Sequence, residues 1–219
     1  MLTALKMNVQ SMVSDFIVNM IPLVAAVYIF AGIKLFRNKI NKDISFFSLL
    51  LFAVAIYLFG YYLELNSSSF HVLLTFRNFE YFGCVMIPAL GILFVAELTH
   101  TRLSKAVINI LFCISVILWT FYITNPVHHL VYSSVEIVRC GIYAMVVTEK
   151  GPVYYALLAY VAAFVLCSDM MLFRAYKAAT EKSKKKSYFF ILMTFQIPWI
   201  SIAIIILGMD KYVDFFPAN

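Results

Sequence analysis

Arg77 and Glu80 stand three residues apart inside a long apolar stretch, where ionisable side chains are costly enough to mark a site by default. At about 100° per residue they share one helical stripe with Tyr81, Cys84, Pro88, Gly91 and Val95, polar at one end and small-residued at the other. Such a stripe faces protein. It is read either as the rim of a pocket or as an i,i+3 ion pair above a small-residue packing seam. In the preceding stretch Tyr57, Tyr61 and Glu64 share a face, and in the first stretch Asp15, Asn19 and Pro22 do the same. Tyr61 and Tyr62 also suit an interfacial aromatic belt. The chemistry these groups offer is recognition by charge and hydrogen bonding within apolar and aromatic walls.

Catalytic chemistry finds no support. The chain has no G-x-S-x-G, Walker A, H-E-x-x-H or G-x-G-x-x-G pattern, so hydrolysis, nucleotide binding and redox catalysis lack their residues. His128 and His129 are adjacent rather than i,i+4, with no nearby carboxylate or cysteine to complete a ligand set. Cys84, Cys113, Cys140 and Cys167 are scattered, and nothing supports a bridge between Cys84 and Cys140, the two that share the outer side. No catalytic residue, metal or cofactor is expected. The candidate ligand-binding residues are Asn19, Tyr61, Glu64, Arg77, Glu80, Tyr81, Asn125 and His128.

The elements that carry these residues follow from composition. Of 219 residues 63% are hydrophobic and 13% charged, about half the charge of a soluble domain; the mean hydropathy is +0.91. A disordered chain and a disulfide-stapled miniature fold are both excluded. A membrane span takes roughly 20 apolar residues, and six stretches qualify: 13–36, 44–65, 77–98, 106–124, 152–176 and 188–208. The first is too long for a signal peptide and lacks a cleavage site. The fold class expected is an all-α polytopic bundle of six transmembrane helices forming one domain over 1–219.

Charge orients the bundle. Twelve of the 17 Lys and Arg residues fall in three connections, the last holding Arg174, Lys177, Lys182, Lys184, Lys185 and Lys186. The positive-inside rule makes these connections cytoplasmic and places the N-terminus outside a cell membrane. The opposite ends carry seven of the eleven acids, which favours a polar or cationic ligand there. The net charge of +6 is accordingly an answer to anionic lipid, with no nucleic-acid partner.

The longest outer connection, 125–151, places β-branched and aromatic residues on both sides of Gly141, and a short β-hairpin near 131–147 is expected across the outer face. Pro198 can kink the sixth span beside Gln196 and Trp199. Asp169 and Glu97 lie near many cations and read as structural ion pairs. No internal repeat is evident, which weakens inverted-repeat transporter readings.

Several pieces, in order along nearly the whole chain, resemble the seven-transmembrane N-terminal sensor domain of bacterial histidine kinases, found also with diguanylate cyclases. They are Tyr62-Leu63-Glu64-Leu65; Arg77-Asn78-Phe79-Glu80-Tyr81-Phe82-Gly83; the run Pro88 to Thr99; Thr124-Asn125-Pro126-Val127-His128-His129-Leu130; Gly151-Pro152-Val153-Tyr154-Tyr155; and Leu207-Gly208-Met209-Asp210 with Pro217. The resemblance implies a bacterial membrane receptor that takes an extracytoplasmic or membrane-derived small ligand and passes a helix rearrangement to a cytoplasmic output module. It also implies a seventh helix beginning about where this chain stops. The expected partners are lipid, a small molecule and that module, and a homodimer is allowed. The rival reading is a small six-span transporter or a channel or accessory subunit. It requires a polar path at membrane depth, where this chain is mostly apolar.

Overall fold

A computed structural model describes residues 2–37, 45–140 and 143–206. Lys39, Lys42, Asp43, Gly141 and the stretch from Leu207, with Asp210, Lys211, Asp214 and Pro217, lie outside these residues. The order of elements is α1 (Leu2–Arg37), α2 (Ser45–Leu65), α3 (Phe70–Leu98), α4 (Lys105–Ile123), the single turn α5 (Asn125–His128), β1 (Tyr132–Cys140), β2 (Tyr143–Lys150), α6 (Pro152–Ala178), α7 (Lys182–Thr194) and α8 (Ile197–Ile206). Within α1 to α4 and in α6, five segments are long and apolar enough to cross a bilayer. Phe16, Leu23, Val27, Phe30, Ile110 and Ile117 are among the large apolar side chains left exposed, an outer surface suited to lipid.

Two spans differ from the sequence expectation. The third begins at Phe70 rather than near residue 77, because Ser69 is extended and its carbonyl takes the first helical bond, from Leu73 N–H. Arg77 therefore sits roughly two turns inside the helix instead of at its mouth. The sixth apolar stretch is not one helix: it is broken between α7 and α8. Pro198 has no N–H to offer the carbonyl of Thr194, and Gln196 N–H turns back to Met193 O at 3.2 Å. The carbonyl of Leu192, which loses that donor, takes the side-chain Nε2 of Gln196 at 3.0 Å. The same amide donates to Asp169 Oδ1 at 3.1 Å, and Trp199 Nε1 donates to Asp169 Oδ2 at 3.3 Å. Neutral donors from the break hold Asp169, in place of the cation expected for it.

The core is organised around α3. Its inner half, from Pro88 to Ala96, is buried almost all round, with α2, α4 and α6 packed against it. The closest approach is to α2 and depends on two glycines. A Cβ on Gly83 would lie 2.6 Å from Ala53 O and from Tyr57 N, and one on Gly60 would lie 2.7 Å from Glu80 N and Cα. Each glycine thus admits the other helix's backbone, the small-residue packing that replaces hydrophobic drive in lipid. Buried hydroxyls bond across helices, Ser48 Oγ to Gly32 O at 2.7 Å and Ser115 Oγ to Val85 O at 2.8 Å.

The expected hairpin is present. β1 and β2 pair antiparallel from Tyr132↔Lys150 to Cys140↔Tyr143, with an irregularity between Tyr132 and Ser134. At its far end Tyr143 packs with Val18 and Leu65 and donates to Asp15 Oδ1 at 2.9 Å. Burial, helped by that carboxylate, pushes the Tyr143 phenol up to about 12.

Asn125 fastens the near end: its Oδ1 accepts from Val131 N at 2.9 Å and Tyr132 N at 3.2 Å, and its Nδ2 donates to Tyr132 O at 3.3 Å. His128 Nδ1 accepts from Leu130 N at 2.9 Å, which leaves its Nε2 to carry the proton shared with Thr124 Oγ1 at 3.0 Å. Gly151 closes the loop, since a Cβ there would meet Leu130 O at 2.2 Å. Pro152 then starts α6 at a position whose N–H would be unused.

Two outcomes follow for stability. Gly83→Ala, which must push two backbones apart, lowers stability by about 1–3 kcal/mol, whereas Gly32→Ala, whose added atom meets only the Phe52 ring edge at 2.9 Å, costs less. Thermal unfolding in detergent compares them, and equal midpoints would refute the glycine contact as the constraint. Asn125→Ala orphans two buried N–H groups at about 1–3 kcal/mol each. Amide exchange at Val131 and Tyr132 is then faster relative to α3, and unchanged protection at those two amides counts against the Asn125 clasp.

Candidate functional site

The hairpin-side ends of α2, α3 and α4 and the start of β1 meet around one guanidinium. Glu64, in the last turn of α2, meets it because Gly60, one turn back, lets α2 lie on the α3 backbone. Glu64 Oε1 and Arg77 Nη1 are 3.1 Å apart, and their side chains are 6% and 12% exposed. Removing one partner of so buried a pair typically costs about 3–5 kcal/mol. Glu80, buried on the next turn of α3, adds a second carboxyl beside Glu64.

Aromatic rings enclose the other sides of the cation. The guanidinium carbon lies 4.9 Å from the ring centroid of Tyr132 and 5.7 Å from that of Tyr81. Tyr81 stacks on Tyr122 at 3.8 Å, and Tyr132 stands edge-on to both, at 6.2 and 5.7 Å. A guanidinium over ring faces is stabilised by the ring quadrupole, and the more so where water is excluded. Burial pushes the Tyr132 phenol well above its ordinary range despite the adjacent cation, so its hydroxyl keeps its proton.

Outside this cluster, between α3, the α4–α5 corner and β1, lies a cavity of about 310 Å³. Its polar wall includes Arg77, Asn78, Tyr122, His129, Tyr132 and Ser134, and its apolar wall Phe70, Leu74 and Val135. The irregularity in β1 falls at this wall, as such features do where a strand re-aims a side chain. The hydroxyls of Tyr122 and Tyr132 and Nε of Arg77 are buried behind this wall, where Tyr132 interacts with Arg77, Tyr81 and Tyr122.

The residues singled out in the sequence divide into three groups. Arg77, Glu64, Glu80 and Tyr81 come together as one buried cluster, and of these Arg77 lines the cavity. Asn125 and His128 stand at the adjacent corner, where their side chains bind backbone, and Asn125 also borders the cavity. Tyr61 packs with Val18, Leu65 and Tyr143 and also lies within electrostatic reach of Glu80, Glu64 and Arg77, and Asn19 is exposed on α1. The sequence reading missed Tyr122, Tyr132, His129 and Ser134. A signal existed for Tyr122: Ser115, Leu118, Trp119 and Tyr122 recur at helical spacing on a mostly aliphatic helix. No carboxylate is among the residues lining this cavity; Glu64 pairs with Arg77 behind it, and Glu80 stands beside Glu64.

Deeper in the bundle Gly91 of α3 admits the ring of Phe164 from α6. Phe164 in turn packs against Phe195 at the α7–α8 break, at 5.6 Å between ring centroids. Packed side chains therefore run from α3 through α6 to the break that Asp169 holds. At the end of the bundle away from the hairpin Glu97 and His100 border a cavity of about 440 Å³ together with Lys184 and Tyr188.

The family model described as the N-terminal 7TM region of histidine kinase matches residues 17–219. No curated protein and no solved structure matches the chain. That span takes in every element except the first half of α1, and with it the whole outer cluster, the hairpin and the broken sixth span; the chain belongs to the family of N-terminal seven-transmembrane sensor regions of histidine kinases.

Proposed function

We propose that this domain, oriented with its N-terminus outside, receives a small extracytoplasmic or membrane-derived molecule in the cavity beneath the hairpin and relays its arrival to a cytoplasmic output module. The observation that carries this reading is the cavity of about 310 Å³ whose wall includes Arg77, Tyr122, Asn125 and Tyr132, directly beside the buried Arg77–Glu64 pair. Its volume lies at the lower end of ligand pockets, about 300–1,000 Å³, and its mixed wall is of the kind that both buries and orients a ligand. Glu64, Glu80 and Tyr81 act as positioning residues that hold Arg77 in place. Asn125 and His128 fix the corner on which the cavity opens.

Relay requires two arrangements of the bundle with different affinities for the ligand, and the shift can be no larger than that difference. The α2–α3 pair, locked backbone to backbone at Gly60 and Gly83, moves as one body in this reading. The element that yields is the α7–α8 break, where two side-chain bonds to Asp169 stand in for a continuous helix. Ring contacts from Phe164 to Phe195 connect the two.

Orientation is tested by labelling in intact cells. Ser133→Cys reacts with a membrane-impermeant maleimide from outside, and Ser183→Cys reacts only after permeabilisation; the reverse pattern inverts the topology. Relay is tested in the full-length protein with its output module, in membrane vesicles. Ser134→Trp fills the cavity and changes basal output activity severalfold, while Asp169→Leu, which abolishes both bonds to the break, makes output insensitive to Ser134→Trp. Wild-type output from a correctly inserted Ser134→Trp protein removes the cavity from the mechanism.

A further inference from the structure

The cavity of about 440 Å³ at the end away from the hairpin lies where helices begin and end. Leu35 stands in the last turn of α1, Phe47 in the first turn of α2, and Leu98 is the last residue of α3. Ser183 and Lys184 belong to the first turn of α7. A span meets the membrane surface at its ends, so the cavity lies at the depth of lipid headgroups and the first part of their chains. Its walls differ in kind. Phe47 and Phe94, with ring centroids 4.8 Å apart, make an apolar wall with Leu35 and Leu98. Ser183, Lys184 and Ser187 form a polar edge. Lys184 is 63% exposed, and its pair with the equally exposed Glu181 at 3.4 Å is of the kind worth little in water, so the ammonium can exchange partners. Further cations gather here, Lys34 and Arg37 in the last turn of α1 and Lys182, Lys185 and Lys186 on α7. Glu97 borders the cavity too, but it is already engaged within the protein, and its Oε2 is buried.

We propose that this cavity is a binding site for an anionic phospholipid, its phosphate held at the edge by Lys184 and the hydroxyls of Ser183 and Ser187 and one acyl chain lying against Leu35, Phe47, Phe94 and Leu98. Basic pockets between the ends of spans bind anionic headgroups through charge, and here the apolar wall adds a place for the chain. A free phosphate would leave that wall to water. A neutral acyl chain would bring no counter-charge to the edge, and a cationic headgroup would face the cations of α1 and α7. Seated there, the lipid touches α1, α2, α3 and α7 together and braces the first half of the broken sixth span against the core helix, where Tyr188 Oη already donates to Leu98 O at 3.4 Å. The site is separate from the cavity beneath the hairpin and does not depend on how that cavity is used.

The test is native mass spectrometry of the purified full-length protein, released from detergent micelles after equilibration with equal amounts of phosphatidylglycerol and phosphatidylcholine carrying the same acyl chains. Phosphatidylglycerol is retained severalfold over phosphatidylcholine. Lys184→Gln, a change at an exposed position that leaves the fold intact, lowers this retention roughly fivefold. Lys186→Gln removes the same charge from a side chain that stands over the Phe190 ring instead, and it costs far less. Ser187→Trp, which fills the cavity, abolishes the preference. Equal retention of the two lipids by the unaltered protein overturns the proposal. So does an equal loss from Lys184→Gln and Lys186→Gln, which assigns the preference to the charge of α7 as a whole. A preference that survives both Lys184→Gln and Ser187→Trp places the lipid elsewhere and overturns it as well.

Discussion

An arginine inside a helix bundle needs surroundings that replace water, and those of Arg77 come from three separate parts of the chain. Glu64 arrives from the end of α2, Tyr81 from the next turn of α3, and Tyr132 from the start of β1. Without the Glu64 carboxylate the cation would be uncompensated at a cost of several kcal/mol. Without the hairpin it would lose the ring that stands closest to it. The outer architecture can be understood as what is required to hold one charge: Gly60 brings α2 close enough for Glu64 to reach, and Asn125 and Gly151 seat the strand that carries Tyr132.

This dependence explains which parts were legible in the sequence. The pieces Tyr62–Leu65, Arg77–Gly83, Thr124–Leu130 and Gly151–Tyr155 carry the resemblance to the sensor family, and the match over 17–219 bears that resemblance out. In the fold these pieces are neighbours around the outer cluster, or one bond away from it. Each contains a residue with little freedom to change: a buried charge, a glycine that a Cβ would drive into backbone, an asparagine shared between two amides. Periodicity located the spans because lipid imposes a long apolar run on each. The hairpin was legible from its β-branched flanks.

What stayed hidden depends on tertiary contact. Arg77 and Glu80 were legible as a pair on one stripe, but the partner Arg77 takes is Glu64, 13 positions earlier on another helix, which no i,i+3 rule contains. His128 and His129 look equivalent in sequence. The fold spends His128 on the Leu130 amide and turns His129 to the cavity wall, a difference created by the left-handed backbone at His129, φ 53°. Tyr132 was hidden because its value lies in three rings and a guanidinium from elsewhere. The break in the sixth span was half legible. Pro198 announced a kink, but the capture of Asp169 by Gln196 and Trp199 required knowing that α6 lies alongside.

The two kinds of helix contact in this bundle set where a rearrangement is cheap. At Gly60 and Gly83 the contact is backbone on backbone, with no side chain between α2 and α3 to reorient when they slide. At the sixth span the continuous ladder is already interrupted, and what replaces it is one amide and one indole on a carboxylate, bonds that water or a shifted side chain can substitute. In the proposed relay a force applied at the Arg77 cluster is not absorbed between α2 and α3. It passes to the neighbours of α3, and the α6 contact at Gly91 and Phe164 leads on to the break. A bundle with six uninterrupted spans would have no such compliant point. That the interruption falls where a neutral amide can satisfy both a lost helical carbonyl and a carboxylate makes it a stable alternative to a helix, which is why the proposed relay places its yielding element there.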